Sequence, residues 1–431
     1  MADRRTRLSA EQLEERSLPS VIVVTSTADT VARDGRVTLR EAILAADTRR
    51  AVGDAPAPGP GAAVIRFAIP GGGLHVIQPR SPLPALTGGV TLDATSQPGY
   101  AGTPLVALDG SFAGPRADGL VLAVGGNTVR GLLIDRFTGN GVVVASGGNR
   151  LAGDWIGVDS TGYRRAGNGG DGVLVTGAGN TLGGTREADR LVVGGNRLAG
   201  FDLAGSHAEW NIIAGDYVGT DRTGFASVAN GTGILIRDGA RWNRVGGTDR
   251  AARNVVSGNA GDQLWVTGPG TTGNVVQGNF LGVDSSGESG ALSGGDAVRI
   301  DGGATGNTVG GSAIGAGNLI GGAGHLLTNG RAVGAGVEIA GAGTTGNVVQ
   351  GNWVGLDARG LAPLTDLAGG VVVRGATGNT IGGAGSAANV IADPVNAPGL
   401  AAGNHLLPGD WYFDSIRFLG HPEWRGGSFR L

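Results

Sequence analysis

The chain has no cysteine in its 431 residues, which excludes disulfides, thiolate catalysis and cysteine-ligated zinc. It has no lysine either: every basic residue is arginine, which fits the glycine and alanine excess as a GC-rich coding bias. No apolar run reaches the ~18 residues of a membrane span, and Val21–Val24 is too short for a signal-peptide core. The formal net charge is −3, so no electrostatic footprint for nucleic acid exists. Glycine reaches 87 residues without a G-X-Y period, which excludes collagen. The 40% apolar content, arranged in regular Val/Ile/Leu triplets, argues against disorder.

What is present is a repeat. Asn127, Asn149, Asn180, Asn211, Asn243, Asn274, Asn307, Asn347 and Asn379 recur, each just before a short apolar strand, in text such as GGNTVRG, AGNTLGG and TGNVVQG. A repeat decides architecture before other signals are weighed, and an array grows along one axis without enlarging one core. A two-coil period is superimposed. One coil type carries NRLAGDWIGVDSTG (149–162) or NVVQGNWVGLDARG (347–360); the alternate type carries GNTLGG (179–184) or GNTIGG (378–383).

The organisation reads in four parts. Residues 1–20 form a charged tail whose Leu13, Glu14, Arg16 and Ser20 resemble the LEPR-type export motif of bacterial surface proteins, with Glu15 where proline is expected. Residues 21–118 carry a strand near Val21–Thr25 and a capping box, Thr38-Leu39-Arg40-Glu41, that predicts a helix over Thr38–Asp47 with Leu39, Ala42, Ile43 and Ala46 on one face. Val37-Thr38-Leu39-Arg40-Glu41-Ala42 resembles the CSLREA module, with Val37 in place of the family's cysteine. The resemblance implies an N-terminal cap ahead of surface-protein repeats, with opening coils after a Pro/Gly-rich loop over 49–62. Residues 119–393 hold about nine coils, and 394–431 an aromatic-rich C-terminal cap or tail containing Trp411, Tyr412, Phe413, Phe418, Trp424 and Phe429.

Three short strands per coil, joined by Gly/Asn turns, predict an all-β fold: a right-handed parallel β-helix with a small N-terminal capping helix. Each coil exposes unpaired strand edges that only stacking satisfies. Over about residues 64–393 the sequence resembles the pectate-lyase-like repeat family, which with the general crossover preference implies right-handedness.

Candidate sites are few. The nine asparagines read as a structural ladder, since stacked amides bond to one another along an axis. Asp159, Asp221, Asp284 and Asp357 recur every second coil, ~9.6 Å apart, too far to share calcium, and read as turn initiators. Trp155, Tyr217, Phe280 and Trp353 occupy one position of the same coils. If Ile156, Val218, Leu281 and Val354 point inward, these rings point outward. They then form, with the four aspartates, a sugar-stacking row, unless the following loops fold over them as packing. No Asp-Asp, Asn-Thr-Asp, Gly-His-Gly or Arg-Ile-Lys motif marks a catalytic coil, and His75, His207, His325, His405 and His421 lack metal spacing. The cluster His207, Glu209, Trp210 and Asp216 reads as a solvated turn. The expected function is a non-enzymatic extracellular or surface scaffold, adhesin-like, contacting polysaccharide or other surface components, with no cofactor, metal, nucleic acid or membrane span. The alternative is a polysaccharide lyase or glycoside hydrolase of the pectate-lyase-like superfamily.

Overall fold

The computed structural model describes residues 20–290, 294–322, 332–362, 364 and 369–393, with the strands His325–Leu326, His405–Leu406 and Trp411–Asp414. The LEPR-like residues Leu13, Glu14 and Arg16 lie outside the described residues, as does most of the segment after 393. The chain is a right-handed parallel β-helix. Coils of the array pass in turn through a thirteen-stranded, a twelve-stranded and a nine-stranded sheet. One coil shows the path. Arg150–Ala152 lies in the first sheet, Trp155–Ile156 in the second and Val173–Val175 in the third, before Thr181–Gly183 returns to the first. The strands His405–Leu406 and Trp411–Asp414 add in parallel to the ends of the first two sheets.

Register stacks like on like. Val129, Leu151 and Leu182 are in register, as are Ile134, Ile156 and Val193, and all six are buried in one core. Because pleat alternation sends neighbouring side chains to opposite faces, each two- or three-residue strand needs only one or two inward residues. That is why triplets suffice.

At the N-terminal end the helix Leu39–Thr48 forms where the capping box predicts. Glu41 N donates to Thr38 Oγ1 at 3.2 Å, and Thr38 N donates to Glu41 Oε2 at 2.9 Å. Leu39, Ala42, Ile43 and Ala46 are buried, and the helix packs against the strands Ser20–Val24 and Ala63–Phe67 that begin the first sheet. Among the described residues no helix is long and apolar enough to cross a membrane.

The corners are held by amide ladders. From Asn127 to Asn379, the backbone N and Nδ2 of each series member donate to Oδ1 of the next at 2.8–3.1 Å. All nine are buried. Two further ladders occupy the other corners. Asn254, Asn279, Asn318, Asn352 and Asn389 stack between the first and second sheets. Asn168, Asn196, Asn230, Asn259 and Gln263 stack between the second and third. A buried amide that loses its partner costs ~1–3 kcal/mol, so every coil depends on its neighbours.

Candidate functional site: the outer face of the nine-stranded sheet

The residues singled out from sequence are brought together, but as packing. Ile156, Val218, Leu281 and Val354 are fully buried in the core, so the alternating aromatics do leave the core side of the sheet. The following loops then cover them. Trp155 is 5% and Phe280 6% exposed, with Tyr217 and Trp353 packed half-buried beside the latter. A side chain at Gly162, Gly224, Gly287 or Gly360 would meet the ring of Trp155, Tyr217, Phe280 or Trp353 within 3.1 Å, so each loop lies directly on its ring. Arginines cover what remains: Arg222 lies 5.1 Å from the Trp155 ring, Arg190 4.2 Å from Tyr217 and Arg253 4.0 Å from Phe280. Stacking on a sugar needs an open ring face, and Trp155 and Phe280 have none.

The four aspartates organise these loops. Asp159 Oδ1 accepts from Thr161 Oγ1 at 2.7 Å and from the amides of Tyr163 and Arg164 at 3.2 Å. Burial would raise its carboxyl, but these bonds outweigh it and hold it below its ordinary value. Asp221 accepts from Thr223 and Phe225, Asp284 from Ser286 and Gly287, and Asp357 from Leu361 and Ala362. The loops also pair with one another across two coils. Arg222 N donates to Gly162 O, Ser285 N to Gly224 O and Ala358 N to Gly287 O, at 2.8–2.9 Å. They lean to close a ~9.6 Å gap and form a continuous cover over the twelve-stranded sheet. The two-coil period is therefore a tiling device.

The cluster read as a solvated turn divides. Trp210 is 59% exposed, whereas Asp216 is fully buried. Asp216 sits one step before Asn254 in the second ladder: its backbone N donates to Asn254 Oδ1 and its Oδ1 accepts from Leu191 N at 2.8 Å. Its Oδ2 is buried without a partner, and burial holds the carboxyl well above its ordinary value.

A further set of polar groups lies on the outside of the nine-stranded sheet. Its early strands, such as Val142–Val144, turn aliphatic side chains outward. From Asp202 onward the outward register position holds Asp202, Leu235, Trp265, Arg299 and Glu338 in successive coils. Two residues further along each strand stand Arg237, Asp301 and Arg374, on the same face. Arg237 Nη2 pairs with Asp202 Oδ2 at 2.8 Å, Arg299 Nε with Asp301 Oδ2 at 2.7 Å, and Arg374 Nε with Glu338 Oε1 at 3.1 Å. Trp265 Nε1 donates to Asp301 Oδ1 at 2.8 Å, and the Arg299 guanidinium lies 5.4 Å from its ring. From Asp202 to Arg374 the strip spans five coil steps, roughly 24 Å at ~4.8 Å each. A groove of about 350 Å³ opens at its N-terminal end, lined by Asp171, Arg197, Leu198, Thr232 and Leu235 with the Asp202–Arg237 pair.

A row of acids edges this face. Asp118, Asn140 and Asp171 each accept from the backbone N of the next coil, ending at Ala199 N; Asp262 and Asp296 do the same, ending at Ala335 N. Burial pushes Asp171 up to about 6, with Asp202 adding repulsion, and Asp296 up to about 7, with Glu338 adding to it. Among the described residues no group of three His, Asp or Glu side chains converges to hold a metal ion. The signal for this face was present in the strand texts DLAG, ILIR, QLWV, AVRI, VEIA and VVVR, each of which adds a charged residue or a tryptophan to an otherwise apolar strand.

Comparison with known proteins gives fold similarity only. No protein-family model matches the chain, and no curated protein matches it. Solved structures similar to it include the PL6 family polysaccharide lyase from Pseudopedobacter saltans: 14% identity, 81% of this chain and 88% of that chain, TM-score 0.43. The Dettilon tailspike protein is 15% identical over 92% of this chain and 68% of its own, with a TM-score of 0.44. The A-module of the Azotobacter vinelandii mannuronan C-5 epimerase AlgE6 is 15% identical over 92% of this chain and 88% of its own, with a TM-score of 0.40. At such values the likeness carries no functional argument.

Proposed function

We propose that this chain is a non-enzymatic extracellular or cell-surface scaffold that holds a polysaccharide along the outer face of its nine-stranded sheet. One observation carries the reading: the strip from Asp202 to Arg374 alternates carboxylates and guanidiniums around a half-buried tryptophan on one flat face. Hydroxyl-rich ligands are bound by such mixtures of acceptors, fork-shaped donors and a ring to stack on. Along the strip each of Arg237, Arg299 and Arg374 is neutralised by a carboxylate partner, so no guanidinium is left free to demand an acidic ligand, which suits a neutral glycan. In the same reading, residues 21–118 are a CSLREA-like cap with the opening coils, 119–393 the array and 394–431 the far end. The Asp159, Asp221, Asp284 and Asp357 loops serve as cover.

A second reading, polysaccharide cleavage, draws on Asp171 and Asp202. Both line the groove, and burial raises both carboxyls, as a general acid requires. Against it, Asp171 Oδ1 is committed to Ala199 N at 2.8 Å, the ladder role that Asp296 repeats at Ala335. A panel of polysaccharides tests both readings. Retention of a glycan by the purified protein, without reducing-sugar release or unsaturated-product absorbance, supports the scaffold. Product release that is lost in Asp171→Asn would replace it with the enzyme.

A further inference from the structure

The backbone at the corner between the nine- and thirteen-stranded sheets is left-handed in every coil of the first ladder. The residue preceding each ladder asparagine has a φ between 54° and 80°. Seven of these nine positions hold glycine: Gly126, Gly148, Gly179, Gly273, Gly306, Gly346 and Gly378. The other two, in adjacent coils, hold Trp210 at φ 58° and Trp242 at φ 54°. A bulky side chain is a steric outlier there, whereas glycine enters freely. The rings are not drawn inward as compensation. Trp210 is 59% and Trp242 41% exposed. They stack on each other, centroids 5.0 Å apart and planes 26° apart. Trp242 is enclosed by Trp210, by Gly273, where an added side chain would come within 2.5 Å of it, and by the Arg241 guanidinium 4.6 Å from its ring, while the space at Gly179, on the coil before Trp210, is open, so the open face of the pair belongs to Trp210. Strain kept at a solvent-facing aromatic pair points to a use outside the fold.

The surface beside the pair is basic. Two residues beyond each tryptophan, Ile212 and Arg244 line a groove of about 370 Å³ on the thirteen-stranded sheet, shared with Arg150, Thr181, Arg186 and Asp189. Arg150 and Arg186 both pair with Asp189, at 3.0 and 2.8 Å. Arg244 is exposed and makes no ion pair among the described residues. The groove thus carries more guanidinium than carboxylate, unlike the balanced face of the nine-stranded sheet.

We propose that Trp210, Trp242 and Arg244 form a second binding site, for an acidic saccharide. One sugar ring stacks on the open face of Trp210, which Trp242 backs, and a uronate carboxylate meets Arg244 in the groove. The proposal rests on the glycan reading above for its ligand class but not on the nine-stranded face. Titration of the full chain with an oligogalacturonate, its fully methyl-esterified form and a single-stranded oligothymidylate, followed by tryptophan fluorescence and calorimetry, tests it. The acidic oligosaccharide should bind best, with an affinity that falls as salt rises.

Trp210→Gly installs the residue this corner otherwise uses. It should leave the melting temperature unchanged or raise it, and weaken binding at least about tenfold. Arg244→Gln should weaken the acidic ligand and leave the esterified one unchanged. Trp265→Ala, on the other face, should alter neither. The proposal is overturned by absence of oligogalacturonate binding, by binding indifferent to Trp210→Gly and Arg244→Gln, or by tighter binding of the oligonucleotide. A melting temperature lowered by several degrees in Trp210→Gly would make the pair a structural staple and overturn it too. Loss of glycan binding in Trp265→Ala alone would sink this site and leave the first standing; loss in Trp210→Gly and Arg244→Gln alone would do the reverse.

Discussion

Replacing Asp216 with asparagine should stabilise the protein, and more so at high pH. The carboxyl occupies a ladder position between Leu191 and Asn254 but lacks the N–H that the amides use. At Asn254, Asn279, Asn318 and Asn352 that Nδ2 also reaches the backbone of the preceding coil, at Ile213 O, Val245 O, Val276 O and Val309 O, each 2.9 Å away. By the same register an amide at 216 would address Leu182 O, satisfying the atom that is now unpartnered. One neutral hydrogen bond contributes ~0.5–1.5 kcal/mol. The larger part is ionisation. Below its ordinary value of 3.8 the group is neutral in folded and unfolded chains alike, and the folded state loses nothing. As pH rises, the unfolded chain ionises while the buried group does not, so stability falls until the folded value is reached, and the deficit is constant above it. Asp154, buried at the same ladder position one two-coil period earlier, is shifted in the same direction. Its carboxyl is raised by burial to about 7, and such a shift costs on the order of 4 kcal/mol. Thermal melts of parent and Asp216→Asn at pH 4, 5.5 and 8 should coincide nearly at pH 4 and diverge steadily, with the variant higher. A variant that melts at or below the parent at pH 8, or by a gap independent of pH, would refute the reasoning.

Other outcomes follow from the packing. Asn274→Leu should cost more stability in chemical denaturation than Asp284→Asn, because the first breaks a buried two-coil relay while the second keeps the oxygen that accepts from Ser286 and Gly287. Trp155→Ala should cost ~3–5 kcal/mol as a buried large-to-small change and leave glycan binding untouched; weakened binding at unchanged stability would reopen the sugar-stacking row. A chelator should leave the melting temperature in place, since the Asp159, Asp221, Asp284 and Asp357 carboxylates are filled by loop hydrogen bonds; a shift of many degrees would reveal a structural cation.

Periodicity made the fold legible. Inward Val/Ile/Leu triplets and ladder asparagines obey the coil spacing, and each has a local signature in turn or strand preference. The helix was equally plain, because Thr38 and Glu41 cap it through residues three apart. The covering of Trp155 and Phe280 was legible as one of two alternatives, loops folded over the rings or rings left open to a sugar, but the sequence did not decide between them. The covering depends on loops that bond across two coils, Gly162 to Arg222 and Gly224 to Ser285, a relation between segments about sixty residues apart that no local pattern carries. The burial of Asp216 was legible in the repeat, where AGDYVG stands in the place of QGNFLG and QGNWVG, whose Asn279 and Asn352 are ladder residues; reading the residue with its chain neighbours His207, Glu209 and Trp210 hid that alignment. Asp202, Trp265, Arg299 and Glu338 look unrelated along the chain and become one surface only when the strands stand in register.

The most direct test of the account is glycan binding by the parent and by Trp265→Ala, measured on the same polysaccharide panel with melting temperatures recorded alongside. Trp265 is outward, half-buried and held by Asp301 and Arg299, so its loss should remove the stacking surface without opening the core. The parent should retain a neutral glycan and the variant should bind it about tenfold or more weaker, equivalent to ~1.4 kcal/mol, at nearly constant melting temperature. Binding of full strength in Trp265→Ala, or no retention of any neutral glycan by the parent, would contradict the account.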